Sequence, residues 1–246
     1  MPAGKPYYRP DLALIHDAGF GRHADRCAPG ILKLLAPIRE TGGVVLELGC
    51  GSGLLTRHLT AAGHRVIATD ASPAMLDLAR TAVPDAAEIR PLTLPDDPLP
   101  HADAIVSVGH VLSYLPDESA IQRAFRGIAA ALNPGGVLAL DICDLEWGRL
   151  RVDQPDQVLV NDDWTLITRF AVPRPDQYVR EMTTFVREPD NRWRRDDEQH
   201  DNVLIDTTQI PPLLHRYGVE ARLGDSFDDE PLLGGLVTVI GQRRLR

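Results

Sequence analysis

Cysteine is scarce in this chain: three residues in 246, Cys27, Cys50 and Cys143, none in a CxxC pair. That is too few and too scattered for a disulfide framework, and it points to a reducing cytoplasm. Aromatic residues make up only 5%. No apolar run approaches the roughly 18 residues that a membrane span needs. The N-terminal stretch meets Asp11, His16 and Asp17 before any useful apolar segment, so a signal peptide is not expected. Basic charge is outnumbered, with 26 Lys and Arg against 35 Asp and Glu and a formal net charge of -9. Nothing in that balance attracts a phosphate backbone or an anionic membrane, so nucleic acid and membrane are excluded as expected partners. Also missing are G-x-x-x-x-G-K-[ST], G-x-S-x-G and any His, Cys, Asp or Glu spacing typical of a metal site. An ATP-type cradle, a serine nucleophile elbow and a bound metal are therefore not signalled.

What is present is an ordinary globular balance, 43% hydrophobic and 25% charged, sized for one large domain or one domain with an insertion. From Gly43 to Leu140 short apolar runs alternate with helical stretches, the pattern of a parallel sheet with crossover helices. Strands are expected at 44–48, 65–69, 87–91, 104–108 and 136–141, with helices at 54–62, 74–81 and 118–132. Ser72-Pro73 supplies a cap and first-turn proline for the second helix, and Asn133-Pro134-Gly135-Gly136 stops the third. From about Val158 to Ile205 the texture changes to period-two alternation, read as three long antiparallel strands with turns at 173–176 and 189–191. A helix at 207–217 and strands at 219–223 and 236–243 then return to the edge of the first sheet.

The strongest local signal is Val44-Val45-Leu46-Glu47-Leu48-Gly49-Cys50-Gly51-Ser52-Gly53, a buried strand running through glycines into a helix. Glycine is needed where the backbone turns sharply and a ligand approaches too closely for a Cβ. Asp70 ends the second strand, where a carboxylate can take both hydroxyls of a ribose, so the loop and the acid together imply a nucleoside-containing ligand. The dinucleotide fingerprint would need glycine at the position of Leu54. Glu47, just before the loop, suits a ligand bearing positive charge rather than phosphate.

At these residues the sequence resembles the class I S-adenosylmethionine-dependent methyltransferases, whose first motif has the form of Glu47-Leu48-Gly49-Cys50-Gly51-Ser52-Gly53. Residues 66–76, Val-Ile-Ala-Thr-Asp-Ala-Ser-Pro-Ala-Met-Leu, resemble the second motif, and residues 130–138 the later helix-turn-strand. The resemblance implies an α/β, Rossmann-like sheet with helices on both faces, an N-terminal helical cap and an inserted antiparallel β lid. It implies S-adenosylmethionine as cofactor, leaving as S-adenosylhomocysteine, with Glu47, Gly49, Cys50, Gly51 and Gly53 at its methionine end. Asp70 would hold the ribose, and Ala71 and Met75 would border the adenine. Leu92 and Thr93 would lie near the base edge, although many relatives carry an acid at that turn and this chain has none before Asp96. Gly109 and His110 would face the transferred methyl.

The divisions expected on this reading are a cap at 1–40, a cofactor-binding core at 41–150, a lid at 151–206 and a return to the core at 207–246. The fourth strand lacks the Asn/Asp-Pro-Pro-aromatic segment used on nucleic-acid bases, and the insertion resembles the antiparallel lid of small-molecule methyltransferases, including enzymes that modify natural products and sugar amines; the resemblance implies a small-molecule acceptor methylated on O or N. Four candidates for catalysis stand out. His110 ends the fourth strand at the sheet's carboxyl edge. Glu198 and His200 share one face of a lid strand, where they can orient each other or a substrate, or simply form a solvent-facing edge. His16 precedes Asp17, which can fix its tautomer or merely cap the helix. Tyr114 and Trp147 are expected either at the acceptor or as packing residues. Two other readings remain open: an NAD-type oxidoreductase, and an S-adenosylmethionine-binding module without turnover. The acceptor's identity and the oligomeric state are not encoded in any motif.

Overall fold

The computed structural model describes residues 7–245; the first six residues of the expected cap and Arg246 lie outside the described residues. A seven-stranded sheet carries helices on both faces. Its strands are β1 (Val44–Leu48), β2 (Arg65–Asp70), β3 (Glu88–Pro91), β4 (Ala102–Ser107) and β5 (Leu132–Cys143), joined by β10 (Val219–Gly224) and β11 (Leu236–Arg243). The order is β10-β11-β5-β4-β1-β2-β3. β1 runs parallel to β2 and β4, β4 parallel to β5, and β11 antiparallel to β5, so the two final strands do return to the sheet edge.

Strand β1 shows why the sheet is covered twice. Val45 and Leu46 are both fully buried but belong to different core clusters, one on each face. One face is packed by α2 (Arg22–Glu40), α3 (Leu54–Ala61) and α4 (Pro73–Ala82) through Ile31, Leu35, Leu55, Leu59, Leu76 and Ala79. The other is packed by α5 (Glu118–Ala131) and α7 (Ile210–Arg216). In α5, Ile121, Phe125 and Ile128 fall at helical spacing on one stripe and are at most 1% exposed; each such burial contributes roughly 1.5–3 kcal/mol. Asp117 caps this helix by accepting from the Ala120 N–H, as Ser72 caps α4 by accepting from the Met75 N–H.

The inserted segment forms a second sheet in the order β6-β7-β8-β9, with β6 at Gln157–Val160, β7 at Trp164–Arg174, β8 at Gln177–Arg187 and β9 at Trp193–Val203. It has four strands rather than the three expected, because the short β6 is exposed along its whole length and shows no alternation to read. The two turns fall where proline and Asp-Asn placed them. The expected stop at 133–136 instead lies within β5, where the register with β4 shifts and the Asn133 amide donates to Asp103. A five-residue helix, α6 (Leu145–Arg149), was not signalled by periodicity; Asp144 caps it.

N-terminal to the core lie α1 (Pro10–Gly19) and α2. Leu12 and Ile15 of α1 pack against Leu166, Met182 and Val186 of the lid, and Arg194 of β9 pairs with the buried Asp11. Tyr8 and Arg9, just ahead of α1, form a strap between lid and core: their N–H groups go to Glu198 of β9, and Ser72 of the core donates to the Tyr8 carbonyl. No helix among the described residues is long and apolar enough to cross a membrane.

Candidate functional site

The carboxyl ends of β1, β2, β4 and β5 converge beneath this strap, and two sets of residues gather there around what we take to be two ligand spaces. The first is built on the glycine loop. Gly49, Gly51 and Gly53 all have positive φ, but for different reasons. A Cβ on Gly49 would come within 2.4 Å of the Val111 side chain, and one on Gly53 within 2.9 Å of Val83, so these two glycines serve packing. A Cβ on Gly51 would meet only the Met75 sulfur, at 3.9 Å, and one on Gly109 would meet nothing within 4 Å. Gly51 and Gly109 therefore face open room.

Asp70 sits at the mouth of that room, accepting from the Gly51 N–H at 2.9 Å and the Ser72 N–H at 2.8 Å. Burial raises its pKa, while these backbone donors oppose the shift. Glu47 lies deeper, 1% exposed, and accepts from the Thr56 hydroxyl at 2.7 Å. Burial pushes its carboxyl up to about 8, which favours the protonated form. Cys50 shapes the turn: its N–H goes to the Thr69 carbonyl and its thiol to the Gly51 carbonyl. Met75 is buried and Ala71 exposed on the same rim. The Leu92 N–H donates to the Asp70 carbonyl while its side chain enters the core. Thr93 is exposed, and Asp97, not Asp96, turns back to accept its N–H at 2.7 Å.

Between the two spaces stands a strained turn. Gly109 and His110 both have positive φ, an uncommon conformation for histidine. The buried Asp141 of β5 holds it by accepting both N–H groups, at 3.1 and 2.6 Å, and accepts from His23 Nε2 of α2 at 2.6 Å. Burial alone would raise the Asp141 pKa, but the His23 hydrogen bond and charge bring it below the usual carboxylate value. His23, Cys27 and Asp141 come close enough to hold a metal. However, Asp141 already accepts three hydrogen bonds and burial raises the Cys27 thiol pKa, so the trio reads as a hydrogen-bonded cluster.

The second space lies under the lid, and a chain of ring contacts surrounds it. Tyr8 contacts His16 at 5.1 Å and His200 at 4.8 Å, Tyr114 contacts His200 at 5.6 Å and stacks on His110 at 5.5 Å, and His110 contacts Trp147 at 5.8 Å. All six acceptor-side residues expected from sequence, His16, His110, Tyr114, Trp147, Glu198 and His200, are brought together here. The alternatives weighed for some of them are decided by geometry. β9 does not turn its polar face to solvent, since Glu198, His200 and Asn202 point inward and are at most 7% exposed. Asp17 is exposed and does not fix the His16 ring, whose Nδ1 has no partner and which stacks instead on Phe20.

Glu198 is a clasp. Its two oxygens accept the Tyr8 and Arg9 N–H groups at 2.8 and 2.7 Å, and His200 Nε2 donates to it at 2.9 Å. Ser72 donates to the Tyr8 carbonyl and Arg9 pairs with Asp196, which together keep Tyr8 at φ 56. Burial, with Arg180 adding to it, lowers the pKa of His16 to about 4 and of His110 to about 3. His200 is lowered by burial too, but the Glu198 hydrogen bond works against that shift.

Arg180 of β8 and Asn202 of β9 were not anticipated. Arg180 donates to the Tyr114 hydroxyl, and at 3.4 Å to Asn202 Oδ1. The signal was present in the alternation, because Tyr178, Met182, Thr184 and Val186 are the inward positions of β8 and Arg180 is the one charge among them. Among the described residues nine buried side-chain nitrogen or oxygen atoms lack a hydrogen-bond partner. Six surround this space: Nδ1 of His16, His110 and His200, Nε of Arg180, Nε1 of Trp147 and Nδ2 of Asn202.

Comparison with known proteins agrees with this architecture. Residues 45–136 match the family described as a methyltransferase domain. N-demethylindolmycin N-methyltransferase of Streptomyces griseus is 31% identical over 172 residues, covering 63% of this chain and 70% of that protein. Among solved structures, the sugar N-methyltransferase KedS8 of Streptoalloteichus superposes with a TM-score of 0.77 at 20% identity, over 99% of both chains. An S-adenosylmethionine-dependent methyltransferase of Clostridium acetobutylicum gives 0.77 at 18% identity, over 95% of this chain and 98% of that one.

Proposed function

This chain belongs to the class I S-adenosylmethionine-dependent methyltransferases, and from that premise we propose that it methylates O or N of a small molecule, a secondary metabolite by preference, enclosed between strap and lid. The observation that carries the reading is the set of six unpartnered polar atoms around one covered space at the sheet's carboxyl edge. Buried polar groups are normally satisfied, so a cluster that is not marks where a ligand's polar groups belong. The strap crosses from core to lid, which suits a compact acceptor and not a polymer, and the net charge of -9 speaks against nucleic acid. Relatives named for methylating demethylindolmycin and a sugar nitrogen support the same class. The division into a cap at 1–40, a core at 41–150, a lid at 151–206 and a return at 207–246 follows the change from strap to sheet to lid. The buried and unbridged Cys27, Cys50 and Cys143 support a reducing cytoplasm.

The groove fits the cofactor: a Cβ at Gly51 or Gly109 would fill its open room, and Asp70 is oriented by backbone donors toward it. When bound, S-adenosylmethionine supplies an electrophilic methyl on a sulfonium and is left as S-adenosylhomocysteine. Asp70 would accept the ribose hydroxyls, Gly51 would allow close approach, Met75 would face the base, and Glu47 would supply negative charge beneath the loop. The protein's further work is alignment and exclusion of water. His200 is the proton acceptor of choice, since Nε2–H donates to Glu198 and leaves Nδ1 free, and its charged form alone among the three histidines has a carboxylate partner. Glu198 is its positioning residue. His16 and His110, with pKa values of about 4 and 3, are neutral wall groups.

Thermal melting tests the cofactor half against its rival. S-adenosylhomocysteine is expected to raise the melting temperature and NADH to leave it unchanged, and Asp70→Asn to weaken S-adenosylhomocysteine binding at least about tenfold. Stabilisation by NADH alone would assign the groove to an oxidoreductase.

A further inference from the structure

Arg180 carries a charge that no carboxylate among the described residues balances. Guanidinium stays protonated at any working pH, and a charge taken out of water is costly unless paired. Yet among the described residues Arg180 has no carboxylate within ion-pair distance; its hydrogen-bond acceptors are the Tyr114 hydroxyl and Asn202 Oδ1, both neutral. It is half-buried. It lies on the inward face of β8, opposite the fully buried His200 in the β8–β9 register. Its charge reaches across the space to His16, His110 and His200, disfavouring the protonated form of all three.

We infer that Arg180 and Asn202 form an anion site, and that the acceptor carries a carboxylate which docks there. This deepens the reading above and rests on it. Three details select the chemistry. Arg180 Nε and Asn202 Nδ2 are donors without partners on neighbouring side chains, and the 3.4 Å contact from Arg180 to Asn202 Oδ1 turns that amide so that its NH2 is the free end. One guanidinium supplies one positive charge, which suits a monoanionic carboxylate; a phosphate of nearly two negative charges and three acceptor oxygens would need further cations, and among the described residues the other guanidinium at these walls, Arg151 over the Trp147 ring, is already bonded to the Trp147 and Gly234 carbonyls. The remaining walls are the rings of Tyr7, Tyr8, Tyr114, His110 and Trp147, which favour a flat, conjugated body behind the carboxylate. Arg180 is thus the residue that sets acceptor class, while the methyl goes to a different atom of the molecule, near His200.

The test uses the full-length protein saturated with S-adenosylhomocysteine and titrated calorimetrically with benzoate, benzamide and inorganic phosphate. Benzoate is expected to bind at least tenfold more tightly than its neutral isostere benzamide and than phosphate. Arg180→Met is expected to erase the preference while binding S-adenosylhomocysteine within about twofold of the unaltered protein. Asn202→Asp provides an independent check that adds rather than removes a partner: an internal carboxylate beside the guanidinium is expected to abolish benzoate binding and raise the melting temperature. Equal binding of benzoate and benzamide, tighter binding of phosphate, or benzoate binding that survives Asn202→Asp overturns the anion site and leaves the methyltransferase reading standing. Failure of the unaltered protein to bind S-adenosylhomocysteine overturns both.

Discussion

The cofactor groove and the acceptor space meet at one turn, yet they are finished to different degrees. In the groove, Asp70 and Glu47 already have donors within the protein, and only the Ser52 hydroxyl is left without a partner. In the acceptor space six polar atoms and one positive charge remain unanswered. The groove is made of backbone from one continuous stretch, so its shape is fixed by folding. The acceptor space is made of side chains from the strap, the end of β4, α6, β8 and β9, and its polar complement is completed only by a ligand. On the proposed reading one half binds a ligand common to a whole family, and the other discriminates.

The seam between them should be the most costly place to break. Asp141→Ala would leave the N–H groups of Gly109 and His110 and the Nε2–H of His23 without an acceptor, and would release the positive-φ turn they hold. Breaking a buried charged cluster on one side costs about 3–5 kcal/mol, so urea denaturation should show a loss of that size, with both ligand sites weakened together. Loss of acceptor binding alone would mean that the two halves are less tied than the turn suggests.

A second probe stays inside the finished half. Glu47 is raised from 4.5 to about 8 by burial, so the folded protein holds a proton that the unfolded chain has lost between those values. Stability therefore falls as pH rises from 5 to 8, and Glu47→Gln, which stays neutral throughout, should remove that fall. The variant should gain on the unaltered protein by up to about 3 kcal/mol over this window, read from denaturation at each pH. It should also bind the cationic S-adenosylmethionine more weakly, since the charge that answers the sulfonium is gone. An unchanged pH dependence would show that Glu47 is already ionised in the folded protein.

The same contrast explains what could be read from the sequence. The groove was legible because its parts are local: Val44 to Gly53 encodes a strand and the turn into a helix in ten residues, and Asp70 follows from where the next apolar run ends. The sheet was legible for the same reason, and a return to its edge was the simplest course for the last two strands. The acceptor space was half legible. His110, Glu198 and His200 could be named from topology and parity, but their partners come from distant segments: the Tyr8 and Arg9 backbone meets Glu198 about 190 residues away. Asp141 went unnoticed because a carboxylate ending a strand looks ordinary until the strained turn opposite it is known. Arg180 shows itself only in the alternation of β8, where it is the one charge among the inward positions.

The smallest expected effect is the most discriminating for the unfinished half. Glu198 touches His200 and the strap but not the open space, so it should act on the reaction only through the histidine it orients. Burial lowers the His200 pKa and the Glu198 hydrogen bond opposes that lowering. In Glu198→Gln the opposition weakens, so the His200 pKa should fall further and the acidic limb of the pH–rate profile should move to lower pH. The plateau should drop a few-fold, up to about tenfold, because a weaker base takes the acceptor's proton less readily. KM for S-adenosylmethionine should stay within about twofold, since no hydrogen bond of Glu198 reaches the glycine loop. A merely structural clasp would predict otherwise: a lower rate at every pH with the limb unmoved, and a rise in KM for the acceptor as the strap loosens. If the limb stays in place, His200 is a wall group like His16 and His110, and methyl transfer here proceeds by alignment alone.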